Sequence, residues 1–117
     1  MEFRDGYAEF APQFETSLDE AVELITNAIE HCYAAKQRKL LCNIIGLTGF
    51  EPPTVAERYW FVNEWAAAGH SHVILAMVAP ERLIDPDKIG VTMARNAGMR
   101  ANVFLTDEEA VEWLKDQ

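Results

Sequence analysis

Few side chains in this sequence are placed to do chemistry. Glu51, Glu81, Arg82, Asp107 and Glu108 each follow an apolar run, where a strand would deliver its carboxyl end. Two carboxylates held together could serve as general acid and base. No nucleophile-elbow sequence, Walker loop, dinucleotide fingerprint or metal-spaced His/Cys set accompanies them. Asp107 and Glu108 also suit the first turn of a helix, where the macrodipole favours carboxylates. His70 and His72 stand two apart, but a metal pair needs further ligands, and they precede a strand rather than follow it. They read as surface-loop residues, and His31, with no metal partner at helical spacing, reads as a boundary residue. Cys32 and Cys42 sit in apolar surroundings and read as reduced packing residues, a disulfide being the alternative. The expectation is a non-enzymatic chain with no catalytic residues, cofactor or metal.

The elements that would position these residues are organised around Lys39–Trp65. Leu40, Leu41, Cys42, Ile44 and Ile45 are too continuous for a strand wetted on one face, so they predict a buried strand over 39–45. Gly46 and Gly49 free the backbone to turn, and Pro52 and Pro53 suit a helix entrance. Thr54 with Glu57 forms a capping-box pattern, and Gly69 is a suitable stop. The helix between is aromatic on several sides. Tyr59, Trp60, Phe61 and Trp65 cover too wide an arc to face one sheet. Core packing and a self-association face through Trp60, Phe61 and Trp65 are therefore both open readings.

Around this unit the pattern repeats. Arg4–Gly6 can turn a short N-terminal hairpin, with Tyr7–Phe10 as an edge strand. Ser17 and Glu20 cap a helix whose apolar positions run from Leu18 to Cys32 and which should reach Lys36. A buried strand follows over 72–79, then a helix opened by Asp85-Pro86 and closed by Gly98. Gly90 inside that helix implies either close backbone approach or an irregular first turn. A strand over 101–105 and a helix capped by Thr106 and Glu109 complete the chain. Right-handed crossovers then make the central strands parallel with helices on the faces. The fold class is α/β, a single domain over 1–117.

The chain has 117 residues, half of them hydrophobic, which is enough for one core. A formal charge of −9 excludes a nucleic-acid binder and charge-driven binding to an anionic membrane. No apolar run reaches the roughly 20 residues of a transmembrane segment, and the opening residues lack a signal-peptide core. Together with the reduced cysteines, this implies a cytoplasmic protein. The only local basic cluster, Lys36, Arg38 and Lys39, complements a helix dipole.

The stretches GLTGFEPPTVAERY (Gly46–Tyr59), GVTMARNAGMRANVF (Gly90–Phe104) and TDEEAVEWL (Thr106–Leu114) resemble the SpoIIAA-like branch of the STAS superfamily, named for sulphate transporters and anti-sigma-factor antagonists and grouped with Sec14-like domains. The resemblance covers nearly the whole chain. It implies a mainly parallel central sheet with an antiparallel N-terminal edge. It also implies a bacterial regulatory module that binds a protein partner, and homodimerises, through the 46–59 loop and helix. Anti-sigma-factor antagonists carry a phosphorylatable serine in that loop. Here Glu51 falls near the aspartate of that loop and Pro52 and Pro53 fall where the serines should be, and proline cannot accept a phosphoryl group. Thr54 is the nearest hydroxyl and reads as a helix cap. The Sec14-like half implies an alternative, a lipid or other small apolar ligand held beneath the 80–98 segment. The candidate ligand or partner site is Glu51, Pro53, Thr54, Arg58, Tyr59, Arg82 and Arg95. Salt bridges are the structural role expected of Arg58 and Arg95.

Overall fold

The computed structural model describes all 117 residues. An N-terminal hairpin pairs β1 (Glu2–Arg4) with β2 (Tyr7–Phe10), antiparallel, through an Asp5–Gly6 turn in which Gly6 takes φ +90°. β3 (Phe14–Glu15) then leads into α1 (Leu18–Ala34), β4 (Lys39–Asn43), β5 (Leu47–Thr48) and α2 (Val55–Gly69). β6 (Ile74–Val78), a 3₁₀ turn over Glu81–Leu83, α3 (Ile89–Asn96), β7 (Ala101–Phe104) and α4 (Asp107–Lys115) follow. The main sheet has the order β1-β2-β4-β6-β7, and every pair from β2 to β7 is parallel. β3 and β5 form a separate parallel pair that the sequence did not predict.

The sheet is covered unequally. Leu40, Cys42, Leu75 and Met77 point into the larger core with the buried faces of α1 and α2 and with Ala94 of α3. Leu41, Ile74, Ala76 and Val78 point the other way, against Ala110 and Leu114 of α4. This double burial is why β4 and β6 read as continuous apolar runs rather than alternating ones. Each fully buried Leu or Val contributes about 1.5–3 kcal/mol.

Several boundaries differ from expectation. Tyr7–Phe10 is not the edge strand. β1 takes the edge, and Ala8 of β2 is fully buried between β1 and β4. The strand expected over 39–45 ends at Asn43, whose side-chain oxygen accepts the Ile45 N–H at 2.9 Å and turns the chain. Ile44 remains buried while Ile45 is exposed.

α1 stops at Ala34 rather than Lys36. Lys36 itself takes φ +58°, the Lys36 N–H donates to the Tyr33 carbonyl and the Gln37 N–H to that of Cys32, a Schellman closure. α2 ends at Gly69, as expected, but Gly69 is its last helical residue and not the left-handed cap. A Cβ there would come within 3.2–3.3 Å of Val73 and Ile29, and the turn is made instead by His70 at φ +49°. Asp85 does not cap a helix at Pro86. Its carboxylate accepts from the Asp87 and Ile89 N–H groups, and α3 begins only at Ile89, after Lys88 at φ +50°. Gly98, at φ +83°, does close α3, with Met99 N–H bonded to the Ala94 carbonyl at 2.8 Å. Of the two explanations for Gly90, the irregular start applies, since a Cβ there would meet nothing within 4 Å.

Gly49 sits at φ +101°, and a Cβ would lie 2.7 Å from the Thr16 carbonyl oxygen where β3 and β5 meet. Gly49→Ala should therefore lower stability by about 2 kcal/mol or more, while Gly90→Ala should raise it by up to about 1 kcal/mol. Urea denaturation midpoints of the two variants check both signs.

Candidate functional site

The parallel strands β4, β6 and β7 end on one side of the sheet, where the 44–54 loop, the 79–88 segment and the start of α4 converge. This is the side on which open α/β sheets bind ligands. Asn43, the last residue of β4, donates its amide to the Asp107 carboxylate at 2.8 Å while its oxygen holds Ile45. Asp107 is thus tied to the helix start. The Asn43–Asp107 pair spans 64 residues and carried no sequence signal.

Thr54 caps α2. Its hydroxyl accepts the Glu57 N–H at 3.1 Å, and Glu57 accepts the Thr54 N–H at 2.8 Å, which closes the capping box predicted from the sequence. Such a cap contributes about 1 kcal/mol. Arg58, one turn on, donates to the Leu83 carbonyl at 3.1 Å, and Arg82 reaches the Phe50 carbonyl at 3.4 Å. The two guanidinium groups cross-tie the 44–54 loop, α2 and the 3₁₀ turn. The salt bridge expected of Arg58 is replaced by a bond to a backbone carbonyl, and Arg58 forms no ion pair.

Glu51 is exposed on the same loop, and Pro53 is half-buried. Glu51, Pro53, Thr54, Arg58, Tyr59 and Arg82 are therefore brought to one end of the sheet. Arg95 is not among them. It lies in the last turn of α3, at the opposite end, beside Gly98 and Arg100, and forms no ion pair.

The outward face of α2 also departs from expectation. Phe61 and Trp65 are 7% and 8% exposed and belong to the core, with the Trp65 indole N–H directed at the Val22 carbonyl. They cannot form a dimer face with Trp60, because positions 61, 62, 65 and 66 make the buried stripe of the helix. Trp60 is 43% exposed, and its exposed apolar neighbours on α2 are Val55 and Tyr59, at 59% and 63%. Ile45 and Leu105, also exposed, add apolar surface at the carboxyl ends of β4 and β7.

Beneath α3 and the 3₁₀ turn lies an apolar cavity of about 130 Å³. Its walls include Val22 and Ile25 of α1, Phe61 and Trp65 of α2, Met77 of β6 and Ala94 of α3. Asp85, Lys88 and Arg58 bring polar groups to its lining. Lys88 bridges from the start of α3 to β7, donating to Asn102 Oδ1 at 3.3 Å and the Val103 carbonyl at 3.2 Å, with its ammonium 5.6 Å from the Phe104 ring centre. The α1 contribution to this cavity was not legible in the sequence.

No group of three or more His, Cys, Asp and Glu side chains is arranged to hold a metal ion, and no helix is long and apolar enough to cross a membrane. No family model, curated protein or solved structure matches the chain. The fold defines the class, an α/β domain with a mixed five-stranded sheet and four helices.

Cys32 and Cys42 are both free and fully buried. Burial raises the Cys32 thiol to about 11, and burial together with the neighbouring Cys32 raises that of Cys42 to about 12. Well below pH 9 both folded and unfolded thiols hold their protons. Above it, the unfolded thiols ionise first. Stability should then fall by up to about 1.4 kcal/mol per pH unit for each thiol until the folded values are reached. Urea titrations at pH 8 and 10.5 check this, and a Cys32→Ala/Cys42→Ala variant should lose the extra slope.

Proposed function

We propose that the chain is a non-enzymatic, STAS-like regulatory module of the SpoIIAA-like kind. It binds a protein partner through the first half of α2 and the loop before it. One observation carries this reading: Tyr59 and Trp60, adjacent in the first half of α2, are both exposed, at the end of the sheet where Val55, Ile45 and Leu105 are also exposed. Singly exposed apolar residues are ordinary, but several large ones at one end of a sheet mark an interaction surface. Aromatic side chains give such surfaces most of their binding energy.

The usual serine switch has no acceptor here. Pro52 and Pro53 occupy its place, and the Thr54 hydroxyl is committed to the α2 cap. Partner choice is then set by complementarity and not by phosphorylation of this loop. A second copy of the chain is one partner this face suits. Tyr59→Ala/Trp60→Ala should leave the circular-dichroism spectrum unchanged while weakening partner capture, or dimerisation measured by sedimentation, by at least about tenfold. Equal capture and equal mass for both proteins would reject the reading.

A second reading is favoured by the cavity beneath α3. Its 130 Å³ and apolar walls suit a small hydrophobic ligand, held under the 80–98 segment. The segment is tied to the rest of the domain by side-chain bonds from Arg58 and Arg82 at its 3₁₀ turn and from Lys88 to β7. Saturating toluene should raise the thermal midpoint of the wild-type chain, and Ala94→Met, which fills the space, should abolish the rise. A midpoint that ignores toluene would reject a ligand-binding cavity.

A further inference from the structure

The amino ends of the strands carry a charge opposite to that of the molecule. The chain has ten Lys and Arg residues and a formal charge of −9. Five of the ten are engaged. Arg4 pairs with Glu2 and Glu9, Lys115 with Glu112, and Arg58, Arg82 and Lys88 hold carbonyl oxygens. The other five, Lys36, Arg38, Lys39, Arg95 and Arg100, form no ion pair. All five lie at or beside the turns that lead from α1 into β4 and from α3 into β7. Residues 35–38, 70–73 and 97–100, which make the three helix-to-strand turns, contain no Asp or Glu.

Arg38, Arg95 and Arg100 line one open cavity of about 610 Å³, with Ser71, Asn102 and Trp113 in its walls. The three arginines are exposed and reach it from separate elements: the entrance of β4, the last turn of α3 and the entrance of β7. Helix dipoles account for Lys36 and Arg95, which lie at the ends of α1 and α3. They do not account for Arg100 or, contrary to the expectation from the sequence, for Arg38, because α1 already ends at Ala34 and both residues stand beyond the helix ends. Asp116, the acidic residue at the end of α4, is exposed and forms no ion pair with them. Like charges gathered around one cavity repel, and a multiply charged anion relieves that repulsion.

We propose that this cavity binds a phosphate-bearing small molecule, with Arg38, Arg95 and Arg100 on the phosphate. Guanidinium groups match phosphate oxygens with paired donors, the Ser71 hydroxyl is a further donor in the wall, and the Trp113 ring offers a face for an aromatic or apolar remainder. The surface as a whole is acidic, but the lining of this cavity contains no Asp or Glu side chain. The site lies at the opposite end of the sheet from Tyr59 and Trp60 and is independent of that face.

The test titrates pyrophosphate into the full chain by calorimetry. Saturable binding is expected. Arg38→Ala and Arg100→Ala should each weaken it about tenfold, and Arg4→Ala, whose guanidinium is paired with Glu2 and Glu9 in the N-terminal hairpin, should leave it unchanged. Phosphatidylcholine vesicles with and without phosphatidic acid form the second arm. Binding to the anionic vesicles without binding of free pyrophosphate would overturn the small-molecule assignment. Absence of saturable binding would overturn the proposal, as would an Arg4→Ala loss equal to that of Arg38→Ala. Circular dichroism of the three variants checks that each is folded.

Discussion

The structure depends on the parallel pairing of β4 with β6, in register from Lys39 opposite Ile74 to Asn43 opposite Val78. Neither strand can face water. Leu40 and Cys42 on one side and Leu41 on the other are at most 1% exposed, and all five residues of β6 are buried. A parallel pair cannot be closed by a tight turn, so the chain between them must cross over, and α2 is that crossover. The same requirement places α1 between β2 and β4 in sequence, and α3 between β6 and β7. Right-handed crossovers put all three on one face. α4 follows the last strand and folds back onto the other face, where Ala76 leaves room for Ala110 and Leu114.

This arrangement gives the domain two unlike ends. At the carboxyl ends of the strands the chain must re-enter helices, so capping residues collect there. The Thr54–Glu57 box and the Thr106–Glu109 cap satisfy helix N–H groups, and acidic residues follow them. At the amino ends the helices terminate, and the chain carries lysine, arginine and histidine. Two of these turns are tight enough to force Lys36, His70 and Ser71 to positive φ. Non-glycine residues in that region are strained by roughly 1 kcal/mol each, and they persist only because the surrounding packing fixes them. Tyr33 stacks on His70 at 4.2 Å between ring centres, a contact that joins the ends of α1 and α2 and helps hold the turn.

The apolar cavity and the exposed α2 face are consequences of the same geometry. α3 has only eight residues and is held at its start by the Asp85 turn and the Lys88 bridge. A short helix covers its part of the sheet incompletely, and a void remains between it, α1 and α2. α2 is longer and packs one stripe, so the residues at its start, beyond the reach of the sheet, stay outside.

The sequence by itself determined the elements and their order. Period-2 and period-3.6 apolar patterns and three Ser/Thr caps are local signals, and strands 39–43, 74–78 and 101–104 are parallel neighbours, as their apolar runs predicted. It also identified the six residues from Glu51 to Arg82 that meet at one end of the sheet. It did not determine which aromatic of α2 faces outward, that Arg95 lies at the opposite end, the β3–β5 pair, or the Asn43–Asp107 bond. Each of these depends on contacts between residues distant in the chain. Whether Phe61 or Trp60 is buried follows from how α2 rolls against α1 and the sheet. The amphipathic signal of α2 is weak because aromatics stand on both of its sides. Where a guanidinium sits depends on which strand end its helix approaches. Local sequence carries propensity and pattern; only the closed tertiary packing decides which side chains face each other, and that is where the domain's two ends acquire their different chemistry.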